Sequence, residues 1–127
     1  MTDHLSYHTR FSPAEFDAEY NLRAGRPDYE VTVIPGWSRD SEKARENLEC
    51  SVDVRYGEGE KQKLDVFRCN DTTAPTLVYF HGGYWQRGDK SIYSFIAPPF
   101  VSHDVNVVIV GYDLCPDVTI TRISEEA

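Results

Sequence analysis

The chain has 127 residues, 40% hydrophobic and 13% aromatic, enough for one modest folded domain but short for a sheet covered by helices on both faces. Thirteen basic against 21 acidic residues leave a net charge of −8, which argues against nucleic acid or an anionic membrane as a partner. Cys50, Cys69 and Cys115 are odd in number, widely spaced and free of any CxxC pair, so neither a disulfide framework nor a zinc site is expected.

Met1-Thr2-Asp3-His4 has no basic n-region or apolar h-region, and no apolar run approaches the roughly 18 residues of a membrane span. A cytoplasmic setting is therefore expected. Ser12-Pro13-Ala14-Glu15-Phe16 predicts a helix start, with Ser12 as N-cap, Pro13 in the first turn and Glu15 three residues on. The helix runs through Phe16 and Tyr20, which share a face, and ends before Gly25-Arg26-Pro27. It reads as a packing helix; a cap over an active site is the sharper alternative. Pro35-Gly36-Trp37 reads as a break, and Ser38 to Leu48 as an exposed helix on which Glu42 and Glu46 pair with Arg45 and nearby cations.

From Cys50 the period becomes two. Cys50, Val52, Val54 and Tyr56 alternate with polar residues as a half-buried strand does. Gly57-Glu58-Gly59-Glu60 is a turn, and Leu64, Val66 and Phe67 belong to a second strand from about Lys61 to Arg68, making an antiparallel hairpin. After the turn-rich Asn70–Pro75, Thr76–Phe80 is a third strand, apolar throughout and expected to be central.

That strand stops at His81-Gly82-Gly83-Tyr84-Trp85. Paired glycines permit conformations closed to other residues and a close approach to the backbone, so amide N–H groups in this loop can converge on one spot. A developing oxyanion needs such fixed donors, roughly 2.7–3.1 Å away. A helix with an irregular middle at Pro98-Pro99 is predicted over residues 89–103, then a fourth strand over 105–110, the segment Tyr112–Pro116, and a helix start at Thr119–Ala127.

His81–Trp85 resembles the HGGxW signature of the kynurenine formamidase (arylformamidase) group of α/β-hydrolases, with Tyr84 where HGGG-type loops carry glycine. The resemblance extends from about Glu49 to the end, through Val52–Tyr56, Lys63–Phe67, His81–Gln86 and Tyr112-Asp113-Leu114-Cys115-Pro116, where Cys115 stands in place of a small residue. Tyr20–Arg23 and Arg26-Pro27-Asp28 are similar to the N-terminal segment of bacterial members. It implies an α/β fold, the N-terminal half of an α/β-hydrolase, in which an antiparallel hairpin gives way to parallel βα units. On this reading residues 1–48 are a helical and irregular segment packing on the domain. Residues 49–127 are an incomplete hydrolase domain holding strands one to four.

The implied activity is hydrolysis of an amide or ester, by an aryl formamidase with substrates such as N-formylkynurenine, a compound of tryptophan catabolism, or by a related carboxylesterase. The residues alone support an esterase or amidase of unspecified substrate. The implied roles give Gly83 and Tyr84 backbone N–H groups to the oxyanion, with Gly82 shaping the turn and His81 supporting the loop. Tyr84 and Trp85 either stack on an aromatic substrate or pack into the core. No Gly-x-Ser-x-Gly occurs, so no residue here is assigned to the catalytic triad. The chain is expected to be part of a longer hydrolase and inactive alone. The alternatives are a non-catalytic binding module or one chain of a two-chain hydrolase, either needing a homodimer or a second chain to cover the sheet edge.

Other candidates carry bland readings. His103 sits at a helix end, and Cys115 is a small half-buried thiol before it is a nucleophile. Asp113 makes an orienting hydrogen bond to the loop, and His4 with His8 makes a metal pair that no helix pattern supports. No cofactor and no metal are expected.

Overall fold

The computed structural model describes residues 10–127, in two compact units, one ending at Pro35 and one beginning at Gly36. His4 and His8 lie outside the described residues. In the first unit, helix α1 (Pro13–Tyr20) begins where its capping residues require. The Glu15 N–H donates to Ser12 Oγ at 3.3 Å, and the Ser12 N–H donates to Glu15 Oε2 at 2.7 Å. Among the described residues the helix buries none, and Phe16 meets Phe11 edge-on, ring centroids 5.6 Å apart.

One wide π-helical turn, Tyr29–Val33, leads directly into α2 (Ile34–Asn47). The expected break at Pro35-Gly36-Trp37 is absent, since all three residues lie in the first turn of α2. Proline lacks only an N–H that a first turn leaves unbonded anyway, so it opens a helix as readily as it ends one.

In the second unit α2 keeps the expected solvated charge face, with Arg39, Asp40, Glu42, Lys43 and Glu46 exposed, but its other side is buried. Ser41 and Ala44 are buried, and the Phe95 N–H donates to Ser41 Oγ at 3.1 Å. Arg45 turns inward instead of pairing with Glu42 or Glu46, donating to the Ser91 carbonyl at 2.6 Å and to Ser94 Oγ at 2.9 Å. A guanidinium with an apolar stem reaches across a helix face to satisfy buried acceptors, which a surface ion pair worth little does not match.

Four strands form one mixed sheet: β1 (Cys50–Arg55), β2 (Lys63–Phe67), β3 (Thr76–Phe80) and β4 (Asn106–Val110), in the order β1-β2-β4-β3. β1 and β2 are an antiparallel hairpin, β2 and β4 are antiparallel, and β3 and β4 are parallel. This is the expected antiparallel opening followed by a parallel βα unit. The position of β3 is a correction. β4 is interior and β3 lies at the edge, where Val78 is 51% and Phe80 43% exposed, while Val107 and Ile109 on β4 are fully buried. An apolar run reports that a strand's faces are suited to burial, not which strand lies beside it.

β1 departs from simple alternation as well. Its register breaks between Ser51 and Val54, where Asp53 adopts φ 55° and donates its N–H to Asp65 Oδ1 at 2.9 Å. The bulge puts the strand one residue out of step past it, and Val52 and Val54 are both exposed, against the expectation that both face inward.

The main core joins Phe67, Ala97, Val107 and Ile109, with Leu77, Tyr79, Tyr93 and Ile96 packed around them. Burying a side chain of the size of Phe67 or Ile109 contributes roughly 1.5–3 kcal/mol. The predicted irregular helix is a 3-10 helix, Lys90–Ile96, capped by Asp89, then α3 (Ala97–Val101) with Pro98 in its first turn. α4 (Ile120–Glu126) is capped by Thr119 and drives Ile123 into a second cluster with Tyr112 and Leu114. Among the described residues no helix is long and apolar enough to cross a membrane.

Candidate functional site

The loop that leaves β3 is held at its entry by His81, which is buried and stacks on two aromatic rings. Its imidazole lies nearly parallel to Tyr112 (4.5 Å, 15°) and to Tyr93 (5.6 Å, 6°). The Tyr112 hydroxyl donates to the His81 carbonyl. Nδ1 of His81 is 2.9 Å from the Gly82 carbonyl oxygen, and because a carbonyl only accepts, Nδ1 carries the hydrogen. In a trans peptide the N–H points opposite to the C=O, so pinning the Gly82 carbonyl turns the Gly83 N–H the other way. Burial pushes the His81 pKa below its ordinary value, against a smaller upward pull from the Gly82 bond, which favours the neutral ring.

Beyond it the backbone is left-handed for three residues: Gly83 at φ 139°, Tyr84 at 55° and Trp85 at 57°. A Cβ on Gly83 would lie 2.0 Å from the Arg87 carbonyl oxygen, whereas one on Gly82 would meet nothing within 4 Å. The steric demand for glycine therefore falls on Gly83. Its carbonyl closes the turn by accepting the N–H groups of Gln86 (3.1 Å) and Arg87 (3.0 Å). Left-handed backbone costs Tyr84 and Trp85 about 1–2 kcal/mol each. The loop sustains it while both rings stay open to solvent, Tyr84 69% and Trp85 48% exposed. Trp85 is thus not a buried core aromatic here. The Cys115 N–H anchors the loop again by donating to the Trp85 carbonyl at 2.7 Å. Among the described residues, the amides of Gly83 and Tyr84 donate to no protein acceptor.

The exit of the loop is fixed by a charge cluster absent from the sequence reading. Lys90, the first residue of the 3-10 helix, reaches through the domain to Asp65 on β2, which is 1% exposed, and to Asp53 at the β1 bulge, 2.8 Å away. Burial works against the Lys90 charge, but hydrogen bonds to both carboxylates raise its pKa; the same bond holds Asp53 below the usual carboxylate range. A mid-strand acid followed 25 residues later by a lysine at a helix start is the only trace in sequence, and it names no pair.

A polar cavity of about 400 Å³ lies behind the loop, lined in part by His81, Tyr112, Asp65, Lys90, Asp89 and Lys61. None of Gly82 to Trp85 lines it, so it is distinct from the face on which the exposed aromatics stand. The remaining candidates are placed elsewhere. Asp113 accepts from the Lys61 N–H at 3.0 Å, steadying the β1–β2 turn and not the HGGYW loop. His103 follows α3 with Nδ1 2.7 Å from the Pro99 carbonyl. Cys115 is half-buried with a free thiol. Among the described residues no group of His, Cys, Asp and Glu side chains is gathered to hold a metal ion.

No protein-family model matches this sequence. Curated proteins similar to it include kynurenine formamidases. That of Salmo salar is 35% identical over 120 residues, 90% of this chain and 40% of the relative. That of Drosophila melanogaster is 44% identical over 72 residues, 55% of this chain and 24% of the relative. The chain thus spans two-fifths or less of the length of these proteins. Among solved structures, one described as a candidate thioesterase from Silicibacter sp. superposes with a TM-score of 0.72 at 35% identity, covering 80% of this chain and 38% of that one. Esterase B of Lactobacillus rhamnosis superposes at 0.57 with 21% identity, covering 81% and 37%, a likeness of fold alone. By sequence this chain is similar to part of the kynurenine formamidases, and it carries part of the α/β-hydrolase fold.

Proposed function

We propose that the HGGYW loop is one wall of an oxyanion hole, in a serine hydrolase that cleaves amide or ester bonds, with aryl formamides of the N-formylkynurenine type as substrate. The observation that carries this reading is the pair of adjacent amides, Gly83 and Tyr84, without an acceptor among the described residues, in a loop tied down at His81, Trp85 and Lys90. Donors held by the fold need no reorganisation when charge develops on the substrate oxygen, and one such donor typically contributes about 2.7–4 kcal/mol to transition-state stabilisation. The kynurenine formamidase relatives support the formamide as substrate, and the exposed rings of Tyr84 and Trp85 offer an aromatic group a surface to stack on.

The reaction on this reading is acyl transfer to water. A serine hydroxyl adds to the formamide carbonyl, a base takes its proton, and the negative oxygen sits against the Gly83 and Tyr84 amides. The C–N bond breaks as the amine leaves with a proton, and water then releases formate from the acyl-enzyme. The serine, base and acid come from outside residues 1–127, a reading supported by the lack of a Gly-x-Ser-x-Gly motif here and by the unpaired outer edge of β3. Those residues would also cover Val78 and Phe80.

The test is turnover of an aryl formamide by the protein purified from its own cell, beside labelling with a serine-directed fluorophosphonate. Formate release with labelling of one serine supports the reading. Absence of both from folded protein would leave a binding module as the better account.

A further inference from the structure

We propose that Tyr112 is a positioning residue for the HGGYW loop, the phenol that fixes where the Gly83 N–H points. The inference rests on the oxyanion reading above and names a residue to which that reading gives no role. Tyr112 stands two residues past β4, in the strand-end segment that runs beside the loop. It grips His81 twice: its ring stacks on the imidazole at 4.5 Å, and its hydroxyl donates to the His81 carbonyl. The imidazole in turn holds the Gly82 carbonyl through Nδ1. A rotation of His81 therefore rotates the Gly82–Gly83 peptide, and with it the donor.

The same segment holds the loop's far side, since the Cys115 N–H donates to the Trp85 carbonyl. Residues 112–115 thus clamp the loop at 81 and at 85, with the amides of Gly83 and Tyr84, which have no acceptor among the described residues, between the jaws. Tyr112 is 6% exposed, so its bond meets little competition from water. Burial also raises its pKa, which keeps the hydroxyl protonated and donating through the neutral range.

The experiment is Tyr112→Phe in the full-length enzyme, with Gly83→Val as its companion and an aryl formamide as substrate. Phenylalanine keeps the stacked ring and removes only the hydroxyl. The expected result is a fall of about tenfold in kcat with KM within twofold of wild type, because the loss is felt in the transition state and not in ground-state binding. Binding of an aryl boronic acid, which forms a tetrahedral anion at the site, should weaken by the same factor. Placing 3,5-difluorotyrosine at position 112 supplies an independent reading. Its more acidic phenol stops donating at lower pH, so kcat should gain an alkaline decline that wild type lacks.

If Gly83→Val abolishes turnover while Tyr112→Phe leaves kcat within twofold and the fluorinated enzyme keeps the wild-type pH profile, the clamp is refuted and the oxyanion reading stands. If Gly83→Val folds and retains wild-type turnover, the oxyanion reading fails and the clamp falls with it. Should Tyr112→Phe not fold, the fluorotyrosine profile decides alone.

Discussion

Lys90 and Asp65 form an ion pair inside the domain, the lysine 8% and the aspartate 1% exposed, with a second carboxylate from Asp53 completing the arrangement. It ties the residue that ends the aromatic loop to the hairpin that opens the sheet. The Asp53 side of the cluster is open to solvent and contributes less.

Lys90→Met should therefore destabilise the protein by about 3–5 kcal/mol, because it strands the Asp65 carboxylate without a counter-charge. Asp53→Asn should cost far less. The double variant Lys90→Met, Asp65→Leu should recover much of the loss, since removing both charges also removes their desolvation. Urea unfolding of the four proteins checks this, and a double variant no better than Lys90→Met would refute it.

The buried imidazole of His81 sets an acid limit. Its pKa is lowered on folding, so the unfolded chain binds the proton more readily and stability rises with pH across that window. The contribution is fully present above about 6.5, the ordinary histidine value. It is lost as pH falls through the folded pKa. Unfolding free energy measured from pH 8 to pH 5 should drop for wild type, and His81→Gln should show a flatter profile over the same range. Asp53 and Asp89, also lowered, act in a more acidic window, below about 3.9.

The two loop glycines should respond differently to a methyl group. Gly82→Ala meets open space and should leave stability within about 0.5 kcal/mol of wild type. Gly83→Ala drives a Cβ into the Arg87 carbonyl and must open the turn. In the active enzyme, kcat should fall about 10²–10³-fold for Gly83→Ala, the typical loss of one oxyanion donor. Steady-state kinetics and crystal structures of both variants check the contrast.

Trp85→Leu tests whether the exposed indole meets the substrate. KM for an aryl formamide should rise roughly 2–12-fold, the range that an aromatic contact of about 0.5–1.5 kcal/mol allows. KM for a small alkyl formamide should not move. Equal changes for both substrates would assign Trp85 to loop packing alone.

The sequence by itself determined what is written within a few residues. Ser12 and Glu15 mark the start of α1, because a capping box is satisfied by groups three positions apart. The glycine-bearing turn after β1 and the abrupt end of β3 at His81-Gly82-Gly83 are local for the same reason, and the family signature lies in that loop. Local pattern could not order the strands, so the apolar β3, expected to be central, lies at the edge of the described sheet beside β4. Nor could it see that Asp53 leaves the ladder to bond Asp65, which shifts the alternation so that Val54 pairs with Leu64 one residue out of step. Arg45, Asp65, Lys90 and Tyr112 acquired their roles only in three dimensions. A polar side chain takes its meaning from the acceptor or charge it reaches, and for these four the partner lies 25 to 49 residues away in the chain.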